Sequence, residues 1–429
     1  MPKSPSKGTL LLAMKDASDV FRLCAKKIKI LSSISWTGNT ADEFFKSKET
    51  VVPKPVYQID RAVLKEILVH LDTLGPKLKG EHPVLAWLVK TRESYALACR
   101  LLLEVGTPGF YEVSSQLYGN SSSRSFKGGV SNVELARSIS TRMAVCELNE
   151  AGDSTALQDC GQFAASIETR MKMRSPALPI KVGITNDISA KVVAGMNRVR
   201  IRKDTRFHKL EVSALWNHEM ETHCLTANNG LLQENADFLS SGGPRTTMTQ
   251  EGLAVFFEMY GHSMSQRRFL GLCDRVLAIE QAEQGADFIQ IYRWYKERAE
   301  SPLEAFFSTS RIFRGSPAGG GFPFTKDVVY LGGLLAVYNF LQLAVKNQNR
   351  LLVESLVCGR IALEDVGTIA WLRTHGILSP PKFVPTWLEN WEALLSFFSF
   401  SAFVSSVDLS AVQDYFDANN TLQSWDFSL

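Results

Sequence analysis

The stretch WNHEMETH, residues 216–223, carries two histidines and a glutamate in the pattern HExxxH. In the HExxH motif of zinc peptidases the histidines are four residues apart, so a regular α-helix turns both toward one face. A spacing of five adds roughly 140° beyond a full turn, which would splay His218 and His223 apart. A π-bulge restores a shared face, and such bulges are frequent at functional sites. We therefore predict a π-bulge or wide turn between Glu219 and His223, with both histidines as metal ligands.

A third ligand is needed, because a catalytic zinc usually has three protein ligands and one open position. Glu251 is our candidate: it lies at the start of a helix in TQEGLA, residues 249–254, where the adjacent Gly252 allows a close approach to the motif helix. The predicted cofactor is one Zn²⁺ per chain. Spacing alone leaves four alternatives for the third ligand open, namely Glu234, Asp237, Glu258 and His262.

These residue types in this order indicate metal-assisted hydrolysis of a peptide bond. Beside a zinc ion, which makes water more acidic, Glu219 is expected to act as the general base. It would take a proton from water and then hand it to the leaving amine. A further donor from the C-terminal part of the chain should stabilise the oxyanion.

Short strands precede the motif. IKVGIT (180–185), KVVA (191–194) and RVRIRK (198–203) alternate or are rich in β-branched residues, which predicts a small antiparallel sheet. In zinc peptidases built on HExxH, an antiparallel edge strand runs above the metal and pairs with the extended substrate. Val199–Lys203 lies one short connection before the motif helix, and we expect it to be that strand.

Most of the remaining sequence shows helical periodicity. The predicted fold is α+β and predominantly helical, with a zincin-like metallopeptidase core that combines the small antiparallel sheet and the active-site helix. An N-terminal helical region over residues 1–175 and a catalytic domain over residues 176–429 are expected. The segment LLSFFSFSAFVSSV, residues 394–407, is apolar but short and broken by serines, and we interpret it as a buried terminal element.

Composition narrows the class of protein. The chain has 429 residues, 45% of them hydrophobic and 21% charged, which is ordinary for a globular enzyme. A formal net charge of +3 indicates no nucleic-acid partner. The seven cysteines are scattered singly and no CxxC pair occurs, which favours reduced thiols and a cytoplasmic location. We expect no membrane span, because no apolar run approaches 18 residues.

Two motifs together resemble a known family. HExxTH at residues 218–223, followed by QEGLA at 250–254, is similar to the tyrosine carboxypeptidases that act on microtubules and to their bacterial relatives, the flavohemoglobin expression-modulating QEGLA-motif proteins. The resemblance extends over most of the chain and includes residues 27–36, 197–203 and FTKDVVYLG at 324–332.

The resemblance implies a zinc metallopeptidase. It implies that His218, His223 and Glu251 bind zinc and that Glu219 is the base. Eukaryotic members remove a C-terminal tyrosine from α-tubulin, whereas the intact QEGLA spelling is that of the bacterial branch. The chemistry therefore carries over, and the substrate stays open between the two branches.

A carboxypeptidase must also recognise a free C-terminal carboxylate, for which a fixed arginine or lysine is the natural partner. Candidates flank a Gly-rich loop, SPAGGGF at residues 316–322, which is either a mobile lid or a plain turn. Tyr330 lies four residues after Lys326 and is the candidate oxyanion donor. The candidate substrate-binding residues are Arg311, Arg314, Lys326, Arg200 and Arg202.

Three functions are compatible with the sequence. The leading hypothesis is a metallo-carboxypeptidase that acts on a peptide or protein C-terminus and prefers an aromatic last residue. The second is a zinc endopeptidase or aminopeptidase that uses the same metal. The third is a non-catalytic regulatory or interaction protein.

Overall fold

The fold is predominantly helical and carries a small sheet, as predicted. The structure is a computed structural model, and the residues it describes are 5–36, 38–144, 157–174, 177, 178, 180–186, 188 and 191–407. The helices before the sheet are α1 (Lys7–Lys27), α2 (Ile30–Ser33), α3 (Gly38–Lys46), α4 (Arg61–Leu74), α5 (Pro83–Leu103), α6 (Pro108–Tyr118), α7 (Asn132–Met143) and α8 (Cys160–Arg174).

Helices also dominate after the sheet. They are α9 (Lys209–Leu215), α10 (Leu225–Leu231), α11 (Thr247–Tyr260), α12 (Gln266–Glu283), α13 (Phe288–Lys296), α14 (Pro302–Phe313), α15 (Val328–Lys346), α16 (Arg350–Leu356), α17 (Val366–Thr374), α18 (Thr386–Glu389) and α19 (Trp391–Val404). Several begin at a side-chain cap: Ser265 caps α12, for example, by accepting from the backbone N–H of Arg268.

The motif lies in a π-helix. Residues Trp216–Cys224 form a π-helical stretch between α9 and α10, and the flanking residues keep helical backbone angles, so the three segments make one continuous rod. A π-helix bonds residues five apart, so it places His218 and His223 on the same face. The predicted π-helical distortion is therefore confirmed, and it extends over nine residues.

The sheet differs from the prediction in its topology. The strands are β1 (Gln158–Asp159), β2 (Lys181–Thr185), β3 (Val192–Ala194), β4 (Arg198–Arg202) and β5 (Arg206–Phe207). The three-stranded sheet has the order β2-β4-β3; β3 is antiparallel to β4, as expected, but β2 is parallel to it. The sheet is thus mixed. β1 and β5 pair separately and are antiparallel.

The strand predicted to lie at the sheet edge is central. β4 has neighbours on both sides, so Val199–Lys203 cannot pair with a substrate. Its alternation has another cause: Val199 and Ile201 are buried against α8 and the π-helix, while Arg200 and Arg202 face the other way. Among the described residues β3 is the edge strand next to the π-helix.

The principal core joins the N-terminal helices to the helices after the motif. Buried residues of α1, α4 and α5 pack in one cluster with those of α11, α15 and α17. The predicted boundary between residues 1–175 and 176–429 falls at positions outside the described residues. Helices α11 and α15 approach most closely at two glycines, since a Cβ on Gly252 would lie 2.2 Å from the carbonyl carbon of Gly333.

Two apolar helices need separate comment. The helical segment Thr325–Lys346, which contains α15, is long and apolar enough to cross a membrane, with a mean hydropathy of 1.8 over 18 residues, but 61% of that 18-residue stretch is buried inside the protein. It is the central core helix in this structure. Helix α19 covers most of the segment interpreted as a buried terminal element. That interpretation is wrong for most of the helix, because Leu394 and Phe398 are buried whereas Phe400 and Phe403 are exposed.

Candidate metal centre and substrate site

The π-helix and α11 bring three predicted ligands together. The Nε2 atoms of His218 and His223 lie 3.4 Å and 3.7 Å from Oε2 of Glu251. One ligand atom from each residue lies within 4.8 Å of the others, and the two imidazole rings are nearly perpendicular. All three side chains are largely buried. Two imidazole nitrogens and a carboxylate at this separation could hold one metal ion.

The alternatives for the third ligand lie elsewhere. Asp237 pairs with Arg22 at 2.7 Å, and Glu234 and His262 are exposed. Glu258 does contact His218, but at the opposite ring nitrogen, Nδ1, at 2.7 Å. We call His218, His223, Glu251 and Glu258 the metal corner.

The metal corner has strongly perturbed acid–base properties. Burial alone would lower the pKa of His218, but its bonds to Glu251 and Glu258 outweigh burial and raise that pKa to about 10. Burial would raise the pKa of Glu251, yet Lys326 and the two histidines hold it well below its usual value. The carboxylate of Glu251, which faces Nε2, would also attract a divalent cation.

Glu219 points toward the edge strand. Its Oε2 accepts a hydrogen bond from the backbone N–H of Ala194 in β3, at 2.9 Å. Gly195 and Lys191 bond to β4, so the alternating main-chain groups of Val192 and Ala194 face away from β4. The carboxylate next to the first histidine therefore lies between the metal corner and the outward edge of β3.

A cluster of five cations lies beside the metal corner. We call Arg268, Arg275, Arg311, Arg314 and Lys326 the basic cluster. Lys326 connects it to the metal corner, because its Nζ lies 3.4 Å from Oε1 of Glu251. Two other members of the basic cluster also pair with carboxylates: Arg268 with Glu258, and Arg311 with Asp327. Among the described residues, five cations therefore meet three carboxylates, which leaves an excess of positive charge.

Asp327 organises much of the basic cluster. Arg311 donates to both of its carboxylate oxygens, at 2.7 Å and 3.0 Å, and Arg275 lies 4.0 Å away. The side chain of Asp327 is 3% exposed. Burial would raise the pKa of Asp327, but Arg311 and Arg275 outweigh burial and depress it strongly.

Tyr330 lies among these charges. The guanidinium of Arg275 is 4.9 Å from the centre of its ring and the Nζ of Lys326 is 5.0 Å from it. Arg314 is 9% exposed and lies over the ring of Phe324, and its Nε has no hydrogen-bond partner in the part of the chain that the structure describes. Burial lowers the pKa of Arg314 to about 10.

The remaining predicted residues lie on the sheet. Arg200 and Arg202 are on the partly exposed face of β4. The guanidinium of Arg202 lies 5.9 Å from the ring centre of Phe307 in α14, the helix that also carries Arg311. The Gly-rich loop at 316–322 is tied to the end of α12, because Gly321 donates its backbone N–H to the carbonyl of Ala282.

Sequence reasoning missed several members of this site. Glu258 was considered only as a ligand, although its position seven residues after Glu251 is the signal that both share one helix face. Asp327 adjoins Lys326 and was not singled out. Arg268 and Arg275 are seven residues apart on α12 and carried no motif.

The comparison with known families decides the identity of the chain. The sequence model of the family described as microtubule-associated tyrosine carboxypeptidase matches residues 42–406. The chain belongs to this family. A search of curated proteins found no match.

Membership in the microtubule-associated tyrosine carboxypeptidase family confirms the resemblance drawn from the two motifs. The match includes the π-helix, α11, the edge strand β3 and all five cations of the basic cluster. Membership implies carboxypeptidase activity and a peptide or protein substrate.

Proposed function

We propose that this protein is a zinc-dependent metallo-carboxypeptidase with a zincin-like catalytic core, which removes an aromatic, tyrosine-like residue from a peptide or protein C-terminus. One observation carries the proposal: His218, His223 and Glu251 converge next to a cluster of buried and half-buried cations. Two histidines and a carboxylate form a donor set of a catalytic zinc site. A zinc ion held there would polarise the scissile carbonyl and make a water molecule more acidic.

Glu219 is the general base in this proposal. It follows His218 directly, and its carboxylate extends from the π-helix toward β3. From this position it can take a proton from water and deliver it to the leaving amine. The hydrogen bond from Ala194 would keep the carboxylate oriented while the proton moves.

The basic cluster is the proposed recognition site for the free C-terminal carboxylate. Arginine binds carboxylates with two parallel hydrogen bonds, and a low-dielectric surrounding strengthens the attraction. Because the five cations exceed their three carboxylate partners, an incoming carboxylate would offset part of the remaining positive charge. Within this cluster Arg311, Arg314 and Lys326 are the proposed binding residues, and Tyr330 the proposed oxyanion donor.

The outward edge of β3 is the proposed track for the substrate backbone. The N–H and C=O of Val192 and the C=O of Ala194 face away from β4, whereas the N–H of Ala194 donates to Glu219. An extended peptide paired there would reach Glu219 and would be held without a demand on its sequence. In this proposal β3, rather than Val199–Lys203, is the strand that pairs with the substrate. Arg200 and Arg202 on the adjacent β4 are proposed to contact the substrate upstream of its last residue.

The test compares two peptides that end in tyrosine and differ only in whether the C-terminus is free or amidated. The proposal predicts release of free tyrosine from the first peptide, and at least a 100-fold lower rate on the second, because the amide offers no charge to the basic cluster. The Glu219→Gln variant is the control for a contaminating protease. Equal cleavage of the two peptides, or cleavage at internal bonds, would overturn the carboxypeptidase assignment.

A further inference from the structure

One face of α11 holds His218 from both sides. Glu251 faces Nε2 of the imidazole at 3.4 Å, and Glu258 contacts Nδ1 at 2.7 Å. The two glutamates are seven residues apart, which is close to two helical turns and therefore places them on the same face. The spacing of the two carboxylates along the helix thus matches the two nitrogens of one ring.

Glu258 is itself held by an arginine. The Nε of Arg268 donates to Oε2 of Glu258 and its Nη2 donates to Oε1, each at 3.0 Å. The side chain of Glu258 is 1% exposed, so water does not compete for these bonds. An ionised carboxylate that is bound by two N–H groups of an arginine can only accept hydrogen bonds. Nδ1 of His218 must therefore be the donor.

The consequence is a fixed tautomer. When a metal ion displaces the proton on Nε2, the proton on Nδ1 stays in its bond to Glu258, and the lone pair of Nε2 points toward Glu251 and His223, where the ion would lie. His223 has no such support among the described residues: its only carboxylate contact there is the one between Nε2 and Glu251. The two histidines thus have different surroundings, and one of them is oriented by the fold.

We propose that Glu258 and Arg268 are positioning residues that preset the ring and the tautomer of His218 for metal binding. The inference rests on the proposed zinc site and adds two residues that touch neither the metal nor the substrate. Groups in this role usually change metal affinity by about 10–100-fold. Their effect should therefore appear in metal binding itself, without any turnover.

The experiment measures the dissociation constant of zinc for the full chain by competition with a chromophoric chelator. Glu258→Gln keeps the size of the side chain and removes its charge. Arg268→Lys keeps the positive charge but lacks the fork. The matched control is Asp365→Asn: Asp365 is 4% exposed and paired with Arg245, yet makes no contact with a candidate ligand.

The expected result is a dissociation constant about 10–100-fold higher for Glu258→Gln, a smaller rise for Arg268→Lys, and no change for Asp365→Asn. A shift in the visible spectrum of the cobalt(II)-loaded Glu258→Gln variant should accompany the rise. If Glu258→Gln is too unstable to study, the Arg268→Lys variant and its cobalt spectrum provide the test.

Two outcomes contradict the proposal, and they are distinguishable. If Glu258→Gln and Arg268→Lys both bind zinc as tightly as the wild-type chain does, the positioning role is overturned and the zinc site stands. A wild-type chain that binds no zinc would overturn the proposed function as well.

Discussion

The metal corner and the basic cluster meet at Glu251, but their charges are arranged differently. In the metal corner the two imidazoles face the carboxylate of Glu251, and the ligand atoms of these three side chains converge on a single point. In the basic cluster four cations have carboxylate partners, whereas no ion pair of Arg314 is found among the described residues, so the cluster keeps an excess of positive charge. The first arrangement suits chemistry at one atom, whereas the second suits recognition of an anion. Variants in the two regions should therefore fail in different ways.

The largest effect is expected beside the metal corner, at Glu219. Glu219→Gln should lower kcat by about 10²–10⁴-fold, because it removes the general base. Elemental analysis should find the metal retained, since Glu219 is not a ligand. Glu211→Gln, a change on the preceding helix α9 at a carboxylate that pairs with Lys191, is the control and should keep full activity. A normal kcat in Glu219→Gln would contradict the role of Glu219 as the general base.

In the basic cluster the corresponding change should act on stability. Asp327→Asn leaves the partly buried Arg311 and Arg275 without their carboxylate, which should cost up to about 3–5 kcal/mol of unfolding free energy at pH 7. The folded state depresses the pKa of Asp327, so its contribution is present above the unfolded value of about 4 and is lost as pH falls through the folded value.

Denaturant titrations at several pH values measure this contribution. The difference between wild type and Asp327→Asn should be largest at neutral pH and should shrink below about pH 4. Glu364→Gln, at an exposed salt bridge with Arg245, should change stability by no more than about 1 kcal/mol. A pH-independent difference would mean that the charge of Asp327 is not what stabilises the cluster.

A third variant tests the close contact between α11, which carries Glu251, and α15. Gly252→Ala places a Cβ 2.2 Å from the carbonyl carbon of Gly333, so α11 and α15 must separate. Overpacking of this kind costs about 1–3 kcal/mol, and it should also weaken metal binding by displacing Glu251. Gly271→Ala in α12, where a Cβ meets no atom within 4 Å, should instead be neutral or stabilising. Equal stability of the two variants would contradict the close contact.

The smallest effect is expected at the residue that joins the regions. Lys326→Met should raise KM about tenfold, or about 1.4 kcal/mol, because one cation for the substrate carboxylate is lost. Zinc binding should become slightly tighter, since a positive charge beside Glu251 is removed. Opposite signs in KM and metal affinity are the signature. Lys346→Met, at the far exposed end of α15, is the control. A joint weakening of both would indicate a merely structural lysine.

The sequence predicted the helix distortion that brings His218 and His223 together, because the spacing of these two residues is local information. Two histidines five residues apart require a π-bulge or a wide turn if both are to bind one metal ion, and a π-helix is present. The glycine after Glu251 indicated a close helix contact, although not that Gly333 would be the partner. Glu251 itself could not be separated from four alternatives by spacing, because the choice depends on how α11 packs against the π-helix.

Other features depend on long-range packing and were not predictable. Alternation identified β4 as a strand, but the same alternation fits an edge strand and a central strand with one buried face. The parallel pairing of β2 with β4 likewise has no local signal. The basic cluster is built from α12, α14 with the residue that follows it, and the turn just before α15, and only the folded chain brings Arg268 and Arg275 beside Arg311.

The most direct test of the central claim is the zinc content of the purified chain, measured by elemental analysis beside His218→Ala, His223→Ala and Glu251→Ala. The account predicts one zinc per wild-type chain and a clear loss of occupancy in each variant, while the variants remain folded. Absence of zinc from a folded wild-type chain loaded with the metal, or full occupancy in Glu251→Ala, would contradict it.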